Sequence, residues 1–389
     1  MRRETSDSTL LSQDKKDLTM ASTETTPSRT LMSLPDELLQ RLLVGVPLED
    51  HRAAASACVA FRDVINGPRF VALRRRYGFA ERGVVIVGES MFSWVDVVEI
   101  RIAGRGLRGQ SDPTHPYLRD TREDASKSGV MANIRHVSFN GSTTDGGSRL
   151  FVSTTGPGAP NQIVAVDVPS RRWKCLASMP LNQIWHCLQW HGGLLYVAGG
   201  DDRTVNPRLQ GLAHCHALNS LHAFNELTGS WEKLPPMPHA CLQASSGVIG
   251  NQLFIAGGYS ESEGSLRTLQ IYDIATRTWR VGAPLPKSCL GSNCGVVDGK
   301  LLVANSFHLS YTLIYDPRSD SWTKEAAEGR CLIGGVDVEH ACAHNGRLVA
   351  FTRHGGVFER DTDGLWSRDS CGVNGEGLHD FVSESVLLG

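Results

Sequence analysis

Few residues in this chain have side chains and spacings suited to chemistry. His214-Cys215-His216 sets three potential metal ligands in a row. A structural zinc centre needs a second ligand pair at defined spacing. None accompanies these three, which lie inside a long insertion, so the tripeptide reads as an ordinary loop and the metal-ligand set is empty. Gly104-Arg105-Gly106-Leu107-Arg108-Gly109 has glycine at the first, third and sixth positions of a dinucleotide fingerprint. That loop works only when it opens a helix whose N-terminus meets a pyrophosphate. Gln110-Ser111-Asp112-Pro113 follows instead and starts no helix. No nucleophile elbow, phosphate loop or paired metal motif occurs. The sequence therefore predicts a non-catalytic protein with no cofactor.

Charge and cysteine usage narrow the partners. The 389 residues carry 39 basic and 41 acidic side chains, a formal net charge of −2. No basic stripe of the kind that tracks phosphates is present. Arg74-Arg75-Arg76 is the densest basic run and reads as a solvated linker face. Ten cysteines show no paired spacing; Cys175, Cys187, Cys241 and Cys342 sit in or beside apolar strands. A reduced compartment uses cysteine this way, as a small apolar residue. No apolar stretch of signal-peptide length follows Arg2-Arg3, and no run is long enough to span a bilayer. The expectation is a cytoplasmic and/or nuclear protein that contacts neither nucleic acid nor membrane.

The elements that would position a binding surface announce themselves by repetition. Five times a short apolar segment ends in an acidic or amide residue, at Asp167, Asn225, Asp273, Asp316 and Glu359. A tryptophan follows each: Trp173, Trp231, Trp279, Trp322 and Trp366. The first four offsets are six residues and the last is seven. Tryptophan-to-tryptophan steps of 58, 48, 43 and 44 residues suit units of several short strands. Within a unit, Val248 to Gly258 reads strand, turn at Gly250-Asn251, strand, and Leu269–Asp273 is the third strand. The fourth opens with Trp279, and prolines such as Pro284 and Pro286 mark the exit. The tryptophans read as packing residues between units.

Such a sheet is apolar on both faces and buries them only by stacking around an axis, as in a β-propeller. The glycine doublets Gly199-Gly200 and Gly257-Gly258, the aromatic-acidic pair and the later tryptophan together resemble the kelch repeat, clearest over about residues 130–370. The doublets are expected where side chains would crowd the narrow axis. Gly83–Gly88 and Val95–Ile102 read as two strands of a further blade, which Ser383–Leu388 would complete to close the ring. The fold expected is mainly β: a kelch-type β-propeller of about six blades over 80–389, with mobile insertions at about 104–129 and 201–220.

Residues 1–30 are polar and lack aromatics, as in a disordered tail. Residues 31–78 differ. Ser33-Leu34-Pro35-Asp36 reads as a helix start with Ser33 as cap, and Leu38, Leu39, Leu42 and Leu43 as one apolar face. Pro47-Leu48-Glu49-Asp50 opens a second helix, Ala53–Ile65 reads as a third, and Phe70, Leu73 and Tyr77 suggest a short last one. So little helix makes a poor core alone. The run from Leu34-Pro35 through Leu48 to Cys58-Val59-Ala60-Phe61 resembles an F-box. That resemblance implies docking on a Skp-type adaptor, and through it a cullin, by Leu34, Pro35, Leu38, Leu42, Leu48, Cys58 and Phe61. Phe61 stands where the family usually has tryptophan and Ala57 where it usually has valine; both stay apolar.

Loops between the second and third strands of each blade gather on one face, and long loops on a rigid frame suit recognition. The expected target-binding residues there are Asp202, Arg203, Arg208, His216, Tyr259, Glu261, His308, Tyr311, Arg353 and His354. The combination resembles plant-type F-box/kelch proteins, substrate receptors of SCF-type ubiquitin ligases that regulate phenylpropanoid enzymes, hormone signalling or light responses. That likeness implies a target protein held on the loop face for ubiquitination and proteasomal degradation. Alternatives are a propeller enzyme with a metal site at its mouth and a cytoskeletal or scaffolding propeller.

Overall fold

A computed structural model describes residues 35–46, 51–65, 70, 73–74, 76–77, 82–90, 98–103, 138–156, 159–167, 172–202, 214–291, 293–304, 309, 311–326, 338–352, 356–368 and 378–387. The polar tail and most of both insertions lie outside them, as do Ser33, Leu34 and Leu48.

Five meandering four-stranded antiparallel sheets follow one another along the chain. Blade 1 consists of Ser138–Thr144, Arg149–Gly156, Ala159–Asp167 and Arg172–Ser178; blade 2 of Cys187–His191, Leu194–Ala198, Leu221–Asn225 and Ser230–Leu234. Blade 3 contains Ser245–Ile249, Gln252–Ala256, Leu269–Asp273 and Thr278–Val281. Blade 4 contains Cys294–Val297, Lys300–Ala304, Tyr311–Asp316 and Ser321–Ala326; blade 5 contains Val338–His344, Arg347–Thr352, Val357–Arg360 and Trp366–Arg368. The first strand of each blade touches the first strand of the next, so these five line the axis.

A three-stranded sheet stands between blades 5 and 1, in the order Val98–Ala103, Arg82–Ser90, Leu378–Leu387. Its C-terminal strand abuts both Val338–His344 and Ser138–Thr144 and completes the inner ring. Val84 faces Ser385 across the antiparallel pair, and Val85 faces Glu384. The arrangement differs from six equal blades: five are four-stranded, and the closing sheet has three strands among the described residues.

Register explains the tryptophan period. Phe224 pairs directly with Trp231, Tyr272 with Trp279 and Tyr315 with Trp322. Their ring centroids are 5.2, 5.0 and 5.2 Å apart in tilted geometry, a favourable aromatic arrangement. Each indole Nε1 then donates to a carbonyl of the preceding connection: Trp231 to Ser178, Trp279 to Pro235 and Trp322 to Ala283, at 2.8–2.9 Å. The tryptophan thus stitches one blade to the last. The polar residue of the motif shapes the hairpin, since Asp273 Oδ1 accepts from the amides of Ala275 and Thr276. Such an Asx turn fixes the six-residue offset. Blade 5 departs from it: Trp366 pairs with Arg360, its indole donates to Thr312 Oγ1, and the turn is closed instead by Asp361.

The glycine doublets answer a different crowding from the one expected. A Cβ on Gly199 would lie 2.3 Å from the Cys241 carbonyl oxygen, and one on Gly257 2.7 Å from that of Cys289. Both glycines also have positive φ. The obstacle is the strap of chain that crosses to the next blade, not the axis.

The helices are α1 (Asp36–Val44), α2 (His51–Ala57) and α3 (Val59–Ile65). Three expectations are corrected here. Pro35, not Ser33, is the N-cap of α1, with its carbonyl accepting from Leu38 and Leu39. The helix expected over Ala53–Ile65 breaks at Cys58. There the sulfur accepts from the Phe61 amide at 3.3 Å, an N-cap on α3 made by a thiol. Arg74 is not on a solvated face: it is buried, and its guanidinium donates to the carbonyls of Val44 and Val46 at the end of α1. The last carbonyls of a helix lack intrahelical donors, and the arginine supplies one at this end of α1. Leu43, Val44, Ile65 and Phe70 form the small core, with Phe61, Val64 and Leu73 packed against it.

Candidate functional site

Two surfaces merit attention: one face of α1 and the loop face of the ring. In α1 the four leucines do not share a face. Leu39 and Leu43 are 2% and 5% exposed, whereas Leu38 and Leu42 are 44% and 55% exposed. The spacing of four puts Leu38 and Leu42 one above the other, beside the exposed Pro35. Val59 and Tyr77, neither of them among the expected adaptor contacts, are also exposed. Cys58 is occupied with its cap, and Phe61 packs inward on the helical core. Of the seven residues expected to meet an adaptor, Pro35, Leu38 and Leu42 therefore present open surface. Leu34 and Leu48 lie outside the described residues.

On the ring, strands alternate direction, so the connections between blades share a face with the loops between second and third strands. Blade 2 contributes Asp201 and Asp202, paired with Ile184 and Gln183 in that order. Blade 3 contributes a small hairpin, Tyr259–Ser260 with Gly264–Ser265. Side chains join the two. Asp201 Oδ1 accepts from the His216 amide at 2.7 Å, and Glu261 Oε2 accepts from the Ala217 amide at 2.9 Å. His216 Nδ1 lies 3.1 Å from Glu261 Oε1, and His239 Nδ1 lies 3.2 Å from Glu263 Oε1. Cys215 turns the other way, into an apolar pocket with Ala217, Leu242, Trp185 and Tyr259. Its thiol is pushed up by burial, with the Asp201 and Glu261 charges adding to the effect. His214-Cys215-His216 thus disperses its side chains. Among the described residues no three His, Cys, Asp or Glu side chains converge as metal ligands.

Three other buried cysteines in the ring follow the same logic. Burial pushes the thiols of Cys187, Cys289 and Cys294 up to about 12. A thiol held protonated is a poor nucleophile. Burial holds His186 down at about 4, so it is neutral near neutrality.

Asp202, His216, Tyr259 and Glu261 are therefore brought together where blades 2 and 3 meet. Tyr311 stands apart, at the start of the third strand of blade 4. Lys287 Nζ lies 5.5 Å and Lys324 Nζ 4.7 Å from its ring centroid. Nothing in the local sequence pairs these three residues; the connection from blade 3 to blade 4 brings Lys287 to the ring. Arg203, Arg208, His308, Arg353 and His354 fall outside the described residues.

Comparison with known proteins gives a consistent picture. Residues 136–356, more than half of the chain, match the family model described as the KLHDC2/KLHL20/DRC7 Kelch-repeats domain. The chain is 32% identical over 130 residues to Kelch-like protein 31 of Homo sapiens, covering 32% of this chain and 20% of that protein. It is 28% identical over 124 residues to Kelch domain-containing protein 10 of Xenopus laevis, covering 28% of each. It is 29% identical over 119 residues to Beta-scruin of Limulus polyphemus, covering 30% of this chain and 13% of that protein. The matched stretches thus span under a third of each relative's length.

Proposed function

The chain belongs to the KLHDC2/KLHL20/DRC7 Kelch-repeats family, and on that footing we propose that it is a substrate receptor of an SCF-type ubiquitin ligase. The helical module docks on a Skp-type adaptor, and through it a cullin. The loop face of the propeller holds a target protein for ubiquitination and degradation, in the cytoplasm or nucleus. The bond-making chemistry belongs to the recruited conjugating enzyme, so this chain needs no nucleophile. It acts by proximity: one chain that binds two partners turns a bimolecular encounter into a local one.

The observation that carries this reading is the division of leucines on α1. Leu39 and Leu43 satisfy the module's own core, while Leu38 and Leu42 remain open on a face continuous with Pro35. Two adjacent exposed leucines on a helix with a charged remainder suit an apolar partner groove. A recombinant Skp-type adaptor incubated with the tagged full chain tests it. The wild type retains the adaptor; Leu38→Asp/Leu42→Asp loses it by about tenfold or more, each buried leucine being worth roughly 1.5–3 kcal/mol. Its melting midpoint is unchanged, because neither side chain fills the core. Equal retention by wild type and variant refutes the reading.

A further inference from the structure

We infer that Tyr311, Lys287, Lys324 and Arg267 form a subsite for an acidic segment of the target, rich in aspartate or glutamate. The inference rests on the reading that the loop face holds a target, and names the chemistry that face selects.

The cluster is assembled by three separate elements. Tyr311 packs its ring on the core between blades 3 and 4, beside Leu285, Cys289 and Leu313. That packing fixes the platform. Lys287 reaches the ring from the connection between the two blades, and Lys324 from the outer strand of blade 4. Arg267 lies just before the third strand of blade 3. Its carbonyl accepts from the Leu285 amide at 2.8 Å, and its Nε donates to the Leu285 carbonyl at 2.6 Å. This clamp holds the guanidinium two residues from Lys287 and leaves its terminal nitrogens for another acceptor.

Charge pairing separates these cations from others on the ring. Arg149, Arg277, Arg280, Lys300, Arg347 and Arg360 each lie within ion-pair distance of a carboxylate. Arg267, Lys287 and Lys324 have no such partner among the described residues. The carboxylate next to Lys324 in sequence, Glu325, is taken by Arg360 of blade 5. Across blade 3 the acids Glu261 and Glu263 are engaged by His216 and His239 from blade 2. The loop face is thus split: acids matched on one side, cations unmatched on the other, in a chain of net charge −2. Two ammonium groups beside one ring repel each other, and the ring quadrupole only partly offsets that. An incoming carboxylate relieves the repulsion, and the tyrosine ring offers apolar contact beside it.

The test uses the full chain and fluorescein-labelled decaglutamate, with decaglutamine and a phosphoserine-glycine decapeptide as the other probes. Fluorescence anisotropy is read at low and at high salt. Decaglutamate binds more tightly than decaglutamine, and weakens at high salt because the contacts are exposed. Lys287→Ala/Lys324→Ala weakens it by about tenfold or more, because both cations facing the carboxylates are removed. Tyr311→Phe retains binding. Both lysines are exposed, so the melting midpoint reports an intact fold. Failure of the wild type to prefer decaglutamate overturns the inference, as does equal binding by the lysine variant or binding of the phosphoserine peptide alone. Adaptor retention measured on the same preparations keeps the two ideas apart. Retained adaptor with no peptide preference sinks only the subsite; lost adaptor with peptide preference sinks only the ligase reading.

Discussion

The ring and the helical module solve burial in opposite ways. In the ring, the apolar residues of the middle strands turn inward on both faces; Leu253, Phe254, Ile255 and Ala256 are buried in succession. Every blade finds its second face in a neighbour, and the closing sheet stands between the last and the first. The module has no second layer of its own. Its helix α1 buries alternate leucine pairs and leaves the other pair exposed. A closed architecture consumes its apolar surface internally, whereas an open one leaves a remainder exposed.

That contrast can be tested at three levels. The largest effect is expected from ending the chain after Gly377, which removes the strand Leu378–Leu387 and reopens the ring. The inner faces of blades 1 and 5 then lose their shared neighbour. We expect the melting midpoint to fall by about 10 °C or more and cooperativity to broaden, by calorimetry. An unchanged midpoint would show that the ring holds without closure.

Next in size, Leu39→Ala should destabilise the module by roughly 2–5 kcal/mol, the cost of a cavity at a buried leucine. Leu42→Ala should stay within about 0.5 kcal/mol, as at exposed sites generally. Urea titration followed by far-ultraviolet circular dichroism checks both. Similar costs for the two would erase the distinction between inner and outer leucines.

The smallest effect concerns Glu384, on the closing strand. Ser142 Oγ donates to its carboxylate at 3.1 Å across the junction with blade 1. Burial raises the carboxyl to about 7, and the serine bond only partly opposes this. Some accessible surface remains at Glu384, which moderates the shift. The protonated form is favoured in the fold. Its contribution is fully present below the ordinary carboxylate range and is lost as pH rises through about 7. His186 has the opposite sign: held near 4 by burial, it adds stability as pH rises from there through its ordinary range. Glu384→Gln should therefore remove a decline in midpoint between about pH 5 and about pH 7.5, leaving the histidine-driven rise. Parallel curves for wild type and variant would exclude a role for this carboxyl.

What could be read from the sequence was local. The tryptophan period was legible because Tyr272 and Trp279 sit opposite each other in register and Asp273 closes the turn between them, all within eight residues. The turn at Gly250-Asn251 was legible for the same reason: Gly250 adopts the positive φ that glycine favours. Long-range crowding was not legible. The glycine doublets carried the right position and the wrong cause, because the strap they avoid comes from Cys241 and Cys289, more than thirty residues onward. The split between Leu38 and Leu39 depended on where α3 packs. Tyr311 was picked out as a loop residue, but its basic companions Arg267, Lys287 and Lys324 come from three other stretches of chain and share no motif.

The closing sheet has a consequence for how the molecule is made. It joins strands from opposite ends of the propeller, Arg82–Ser90 with Leu378–Leu387. During synthesis, blades 1 to 5 emerge before the strand that locks them. The helices leave the ribosome before the ring can close, so the exposed leucine face of α1 is offered while the propeller is still incomplete. Any partner that meets the nascent polypeptide through those helices does so before the ring is locked.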